Sequence, residues 1–133
     1  MDYLTLDQDD EKLMRAAARV IENNYREGRH TVGTAVLASS GKIYVGVNID
    51  TCGYGPCAEP IAIGAAVSSG ERELLCIAAV EGWNPAHPPM PPSGNCRQLM
   101  EDYAPDMMVI LRHAGQVVKV RAMDLLPDAY RNF

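Results

Sequence analysis

The stretch that most constrains the fold is residues 57–69, which are mostly Ala, Ile and Val and carry no charge after Glu59. A helix of this composition must be buried on most of its sides. Residues 74–80 follow it closely and are apolar without alternation, which is typical of a strand in the middle of a sheet. A helix with little polar surface next to a central strand predicts a layered α/β core.

An amphipathic helix is predicted near the beginning of the chain, over residues 6–27. Leucine, alanine, valine and isoleucine recur there at helical spacing, so one face of the helix is apolar. Thr5 and Gln8 have the spacing of a capping box, in which two side chains satisfy the free amide groups of the first turn. We therefore expect the helix to begin at this pair, and Gly28 is a plausible end.

The remaining segments complete a fold in which helices and strands are interleaved. Their patterns predict strands at residues 31–38, 42–48, 107–111 and 117–120, a helix at residues 95–103, and a short turn or helix at residues 124–130. Ser39-Ser40-Gly41 joins the first two strands as a hairpin. This order predicts a three-layer α/β/α sandwich around a central mixed five-stranded sheet. A chain of 133 residues is long enough for one domain, predicted over residues 1–133.

Charge and composition exclude several classes of partner. The formal net charge is −5, so the chain is a poor candidate for binding duplex nucleic acid, which needs clustered Lys and Arg. No apolar run approaches the ~18 residues of a membrane helix, so we expect no membrane partner. Residues 1–10 are acidic and do not resemble a secretory signal. We therefore expect reduced thiols and a cytoplasmic location, although four cysteines could also form two disulfides or a metal site.

Two cysteine-bearing segments each begin where a turn meets a helix: Gly55-Pro56-Cys57-Ala58-Glu59 and Pro92-Ser93-Gly94-Asn95-Cys96-Arg97-Gln98. The free N–H groups and dipole at a helix N-terminus favour a thiolate. Two such thiolates could share a zinc ion, and Glu59 would then lie close to the metal. This is the arrangement of a zinc-dependent hydrolase, in which the metal lowers the pKa of a water and the carboxylate moves protons.

The two segments resemble the signature of the zinc-dependent nucleoside and base deaminases, written His/Cys–x–Glu and Pro–Cys–x–x–Cys. Within that superfamily the chain is similar to the small, homotetrameric cytidine deaminase branch, and most similar there to the blasticidin S deaminases. Gly46-Val47-Asn48, Cys96-Arg97-Gln98 and Leu125-Leu126-Pro127 also match the family and follow the family's order. The resemblance implies the cytidine deaminase fold, one zinc ion per chain and a homotetramer.

The resemblance also implies an activity, the hydrolytic deamination of a cytosine-containing nucleoside or nucleoside antibiotic of the cytidine, deoxycytidine or blasticidin S type. In this reaction a zinc-activated hydroxide attacks C4 and Glu59 acts as proton shuttle. The matching positions assign zinc ligation to Cys57 and Cys96, contact with the pyrimidine carbonyl to the backbone N–H of Ala58, contact with the sugar to Asn48, and the place of a ribose-binding Glu to Asp50. Asn48 could instead hydrogen-bond within its own turn.

The chain departs from the family at the third ligand position, where Ser93 stands. A neutral hydroxyl is a poor zinc ligand compared with thiolate, imidazole or carboxylate. His87, in a proline-rich loop, or Cys52 could substitute, or Ser93 could bind through water or as an alkoxide. Otherwise the site holds no zinc, and the chain is a nucleoside-binding protein or pseudoenzyme of the same fold. A deaminase with an altered substrate is a further alternative.

A second departure is Pro60, because typical cytidine deaminases carry Arg directly after the catalytic Glu. With two thiolates instead of three, less negative charge needs balancing, and Arg97 beside Cys96 is expected to supply part of that balance. Cys76 lies inside an apolar strand and is interpreted as a small buried hydrophobic residue.

Overall fold

The computed structural model describes residues 1–131, so the last two residues of the domain predicted over residues 1–133 lie outside it. Its helices and strands are α1 (Gln8–Asn24), β1 (Val32–Ala38), β2 (Ile43–Val47), α2 (Ala58–Ser68), β3 (Leu74–Glu81), α3 (Gly94–Tyr103), β4 (Met108–His113) and β5 (Gln116–Arg121), followed by a 3₁₀ helix (Ala122–Leu125). Within these residues the strands form one five-stranded mixed sheet with α1 on one face and α2 and α3 on the other. The predicted three-layer α/β/α sandwich is confirmed.

The predicted start of the first helix is wrong, because Thr5 and Gln8 do not form the capping box. Asp7 caps α1 instead, and its carboxylate accepts from the Asp10 backbone N–H at 2.9 Å. The Asp10 carboxylate accepts in return from the Asp7 backbone N–H at 2.9 Å. A carboxylate caps at least as well as a threonine hydroxyl and also complements the positive end of the helix dipole. The helix ends at Asn24, earlier than predicted.

The connection from β3 to β4 lies beside the N-terminal ends of α2 and α3. Strand β1 pairs antiparallel with both β2 and β3, and β3 pairs parallel with β4. The predicted hairpin is present, with Gly41 at φ 91° and its N–H donating to the Ala38 carbonyl at 2.9 Å. The chain crosses from β3 to β4 through the loop of residues 82–93 and α3. The carboxyl end of β3 therefore faces the N-terminal ends of α2 and α3, a common position for a binding crevice in such sheets.

Strand alternation divides the core between the two faces of the sheet. Ala35 packs with Leu13, Ala17 and Ile21 of α1, whereas Val36 packs in the cluster that contains α2 and α3. On the α2 side, Gly46 of β2 allows the helix to approach closely, since a Cβ there would lie 2.7 Å from the backbone nitrogen of Ala62. This contact holds the first turns of α2 directly on the sheet.

Thr34 lies on the same face of β1 as Val36, and it is fully buried. Its Oγ1 has no hydrogen-bond partner among the described residues. Leaving a buried hydroxyl unpaired costs about 1–3 kcal/mol, so the apolar replacement Thr34→Val should raise the free energy of unfolding by about 1 kcal/mol. Denaturant unfolding measures the change, and Thr34→Ser is the matched control, which keeps the hydroxyl and loses a methyl group. A valine variant less stable than the parent would contradict an unpaired hydroxyl.

Within residues 1–131, no helix combines the length and the apolar character needed to cross a membrane.

Candidate active site

A cavity of about 250 Å³ opens at the carboxyl end of β3. Its walls come from β1, the residue after β2, the start of α2, β3 and the turn before α3; they are Val32, Asn48, Cys57, Ala58, Glu59, Ala79, Met90, Pro91 and Ser93. A larger crevice of about 380 Å³ lies between α3 and the 3₁₀ helix, but it is lined mainly by charged side chains and contains no cysteine. The smaller cavity is therefore the candidate active site.

The structure brings Cys57 and Glu59, which line this cavity, together with Cys96, which is fully buried and does not line it. One ligand atom from each lies within 4.8 Å of the other two. Cys57 is the N-cap of α2, Glu59 is in the first turn of that helix, and Cys96 is in the first turn of α3. Both thiols thus stand at helix N-termini, as the sequence predicts. All four cysteines of the chain are free, so no disulfide competes for this pair.

There are three candidates for the third ligand: Ser93, His87 and Cys52. Of these, the structure places Ser93 beside the thiols. It is the N-cap of α3, and its Oγ lies 3.9 Å from the Sγ of Cys57 and accepts from the Cys96 backbone N–H at 3.4 Å. His87 points elsewhere, since its Nδ1 lies 2.9 Å from the Glu81 carbonyl oxygen and its Nε2 lies 3.8 Å from the Glu22 carboxylate of α1. Cys52 is exposed and does not belong to the cluster of possible ligands.

Burial dominates the electrostatics of the cluster. Glu59 is 6% exposed, and removal from water raises the pKa of its carboxyl group. Burial, together with the nearby Glu59 charge, raises the pKa of the Cys96 thiol to about 12. The helix N-terminus predicts a thiolate at Cys96, so a positive charge beside the sulfur, such as a bound cation, would have to offset this burial.

The donor set at the cavity fits a zinc ion. It consists of two thiols, one carboxylate and one hydroxyl, and zinc in proteins takes thiolate and carboxylate ligands. A cation held between these groups would favour their ionised forms and offset the cost of burying negative charge. Cys57 and Cys96 are the strong donors of the set, and Ser93 is the weak one.

The three predicted substrate contacts differ in where the structure places them. Asn48 and the buried Ala58 line the cavity. The Asn48 side chain does not bond within its own turn; its Oδ1 accepts from the backbone N–H groups of Thr31 and Val32 at 2.7 and 2.9 Å. Asp50 is exposed, does not line the cavity, and donates its backbone N–H to the Arg29 carbonyl at 3.2 Å.

Arg97 contacts carbonyl groups rather than thiols. Its Nε donates to the Pro92 carbonyl at 2.8 Å, and an outer guanidinium nitrogen donates to the Leu125 carbonyl at 3.2 Å. The side chain thereby holds the turn before Ser93 against the 3₁₀ helix. The expected charge balance by Arg97 has no direct contact with the thiols to support it, and a positioning role for the ligand turn fits the contacts better.

Cys76 is remote from the cluster, in the core between the sheet and α1. Its Sγ lies 3.7 Å from the Asp10 carboxylate, and burial raises the pKa of the thiol to about 12. A thiol held protonated in this way is unreactive, which agrees with the interpretation as a small core residue.

Sequence reasoning missed four apolar residues that line the cavity, namely Val32, Ala79, Met90 and Pro91. The sequence indicates a proline-rich loop here, but not that the loop forms a wall of the cavity. The Met90 backbone N–H donates to the Ala79 carbonyl at 2.7 Å, which fixes the end of this loop against β3. No local pattern in the sequence indicates this contact, because it joins a loop residue to a residue of β3.

A family profile and individual relatives both match this chain to deaminases. The family profile described as the cytidine and deoxycytidylate deaminase zinc-binding region matches residues 7–112. The blasticidin-S deaminase of Bacillus cereus is 34% identical over 142 aligned positions, covering 98% of this chain and 98% of that protein. The cytidine deaminase of Halalkalibacterium halodurans is 35% identical over 127 positions, covering 92% of this chain and 94% of that protein.

Solved structures give the same result for the fold. The crystal structure of cytidine deaminase from Burkholderia pseudomallei matches with a TM-score of 0.76 and 32% identity, covering 94% of this chain and 100% of that one. The cytidine deaminase from Bacillus anthracis has a TM-score of 0.78 at 18% identity, with 92% of this chain and 90% of that one covered, which supports the fold alone. The likeness therefore extends over nearly the whole chain.

Proposed function

Because the chain belongs to the cytidine and deoxycytidylate deaminase family, we propose that it hydrolytically deaminates a cytosine-containing nucleoside or nucleoside antibiotic. The observation that carries the proposal is the cluster of Cys57, Glu59 and Cys96 at the wall of a cavity. The family supplies the class of reaction, and the relatives named above include both cytidine deaminases and a blasticidin-S deaminase. Cytidine, deoxycytidine and blasticidin S are therefore the substrates to test first.

Cys57 and Cys96 would hold the zinc ion, with Ser93 as the weak third donor. When bound, zinc lowers the pKa of a water so that hydroxide is available near neutral pH. The first turns of α2 and α3, on which these residues stand, are fixed by helix packing, so the ligands are held before the metal arrives.

Glu59 would move the protons of the reaction. Its carboxylate would take one proton from the attacking water and pass it to N3 of the pyrimidine. It would then take the second proton of the same oxygen and pass it to the amine, which leaves as ammonia while the oxygen stays on C4 as a carbonyl. Burial favours this role, because it raises the pKa of the carboxyl group towards the range in which it can both accept and donate. The product is the corresponding uracil compound.

The cavity walls would bind and orient the substrate. Ala58 is the first residue of α2, where backbone N–H groups are free to donate to a pyrimidine carbonyl. Asn48 would contact the sugar. The apolar side chains of Val32, Ala79 and Met90 would cover the base and keep bulk water away from C4. Asp50 lies outside these walls, so a role in sugar binding would depend on groups beyond this cavity.

A nucleoside-binding protein without chemistry is the second candidate, and Ser93 favours it. Loss of one strong ligand out of three weakens zinc binding, and a zinc-poor site could bind a nucleoside without converting it. The buried Glu59 favours the enzyme, since a binding site has no use for a proton shuttle.

Metal analysis of the purified protein, with an ultraviolet assay on the three substrates, decides between the enzyme and the binding protein. Zinc with turnover supports the enzyme, and no zinc with no turnover supports the binding protein. Zinc without turnover on any of the three indicates an altered substrate.

We expect a homotetramer, as the resemblance to the small deaminases implies. Helix α2 supports this expectation, because Ile61 and Ala65 are only half-buried although the helix carries almost no polar side chains. Such a face is suited to contact with a second copy of the chain. Analytical ultracentrifugation should give a species of four times the chain mass, and a profile of monomer alone would contradict the expectation. A cytoplasmic location stays a prediction.

A further inference from the structure

The amide of Asn48 has a defined orientation at the cavity wall. Its Oδ1 accepts two backbone N–H groups, from Thr31 at 2.7 Å and from Val32 at 2.9 Å. Backbone N–H groups can only donate, so the atom that faces both of them must be the amide oxygen. Both acceptor positions of this oxygen are thereby used within the protein.

The nitrogen of the same amide is held by a neighbouring hydroxyl. Asn48 Nδ2 donates one hydrogen to Thr31 Oγ1 at 3.2 Å. The second N–H makes no hydrogen bond with the described residues, and Asn48 lines the cavity. Because the amide group is planar, a bond that fixes one N–H also fixes the direction of the other. Asn48 therefore offers a ligand one hydrogen-bond donor and no free acceptor.

Thr31 is itself held by contacts on both sides. Its carbonyl accepts from the Gly82 N–H at 2.7 Å, and a Cβ at Gly82 would lie 2.5 Å from that carbonyl oxygen, so the loop after β3 packs directly on it. The backbone carbonyl of Asn48 lies 2.9 Å from Nδ1 of His30, the residue before Thr31. The end of β2 and the start of β1 are thus held together by hydrogen bonds around the Asn48 amide.

We propose that Thr31 is a positioning residue of the site: its backbone N–H and its hydroxyl together hold both ends of the Asn48 amide, so that the free N–H donates to an oxygen of the nucleoside sugar. The inference rests on the proposed function, because it takes the ligand of the cavity to be a nucleoside. Thr31 acts through Asn48 and does not line the cavity itself. Its effect should therefore depend on the sugar hydroxyls of the ligand and not on the base.

The test compares the zinc-loaded parent protein with Thr31→Val, which removes the acceptor at nearly constant volume, and with Thr31→Ser, which keeps the hydroxyl. Calorimetric titration with uridine and with 2′,3′-dideoxyuridine measures the two dissociation constants for each protein. Without the hydroxyl the amide nitrogen is less restrained, so uridine binding to the valine variant should weaken by up to the value of the one neutral hydrogen bond to the sugar, about 5-fold. Dideoxyuridine binding should change by less than about 2-fold, and the serine variant should match the parent for both ligands.

Each other outcome has a defined meaning. Equal weakening of both ligands by Thr31→Val would show a general structural role and overturn the inference, as would unchanged uridine binding. A parent protein that binds uridine and dideoxyuridine equally would show that the sugar hydroxyls are not recognised, which also overturns it. If the parent binds neither ligand, the proposed nucleoside site is wrong and the inference fails with it.

Discussion

The replacement Glu59→Gln should lower kcat by roughly 10²- to 10⁴-fold on whichever cytosine substrate the parent protein converts. Glutamine keeps the size of the side chain and can still donate a hydrogen bond, but it cannot take a proton from water or carry one to N3. Glu59 lies within 4.8 Å of both candidate thiol ligands and is the single carboxylate of this cluster among the described residues, so no neighbouring carboxylate of the cluster can replace it. The loss should fall mainly on kcat and leave KM little changed.

A matched control is available in Glu101→Gln. Glu101 is also 6% exposed, but it lies on α3 beside the larger crevice and pairs with Arg131 at 2.6 Å. This variant should keep kcat within a few-fold of the parent, which would show that loss of a buried carboxylate alone does not abolish turnover. Zinc content should be measured for both variants. A Glu59→Gln protein that binds zinc and retains most of its activity would show that Glu59 is not the proton shuttle.

The second large effect is expected for zinc affinity. The replacement Ser93→Cys should tighten zinc binding by at least about 10²-fold, because a thiolate replaces a neutral hydroxyl. The structure places the hydroxyl where a thiol would be useful, since Ser93 Oγ lies 3.9 Å from the Sγ of Cys57. The loss of the N-cap bond should cost little, because the bond from the Cys96 N–H is long at 3.4 Å.

To measure this change, the metal-free proteins are titrated with zinc in competition with a chelator of known affinity, and zinc binding is followed optically. Ser39→Cys is the matched control, because it adds a thiol to the exposed hairpin turn, far along the chain from the cluster. The control should leave zinc affinity unchanged. Equal affinity in the parent and in Ser93→Cys would contradict a ligand position at Ser93. If only the cysteine variant binds zinc and converts substrate, the parent is a binding protein and not a deaminase.

The sequence alone was sufficient for the layers of the fold. Apolar periodicity is a local property, so the buried helix after Cys57 and the central strand at residues 74–80 could be identified from a few neighbouring residues. The predicted start of α1 was wrong because threonine and aspartate are both common N-cap residues. Only the geometry of Asp7 and Asp10 shows which residue caps the helix.

The sequence also indicated which residues could carry the chemistry. The spacing of Cys57 and Glu59, and the repeat of a cysteine at a second helix start, pointed to a metal-assisted hydrolase before any contact was known. It could not choose among Ser93, His87 and Cys52 as the third ligand. That choice depends on the packing of separate elements, and the side chains concerned are up to 41 positions apart in the chain.

Tertiary structure decided three features, each because burial or packing joins distant segments. In the folded chain His87 lies beside Glu22 of α1, and Ser93 lies beside Cys57. Tertiary structure buried the Cys96 thiol beside Glu59, which raises the pKa of that thiol to about 12. It also locked Asn48 to the start of β1. The sequence by itself thus determined the order of elements and the residue types of the site, and only the packing of the sheet and helices determined which of them meet.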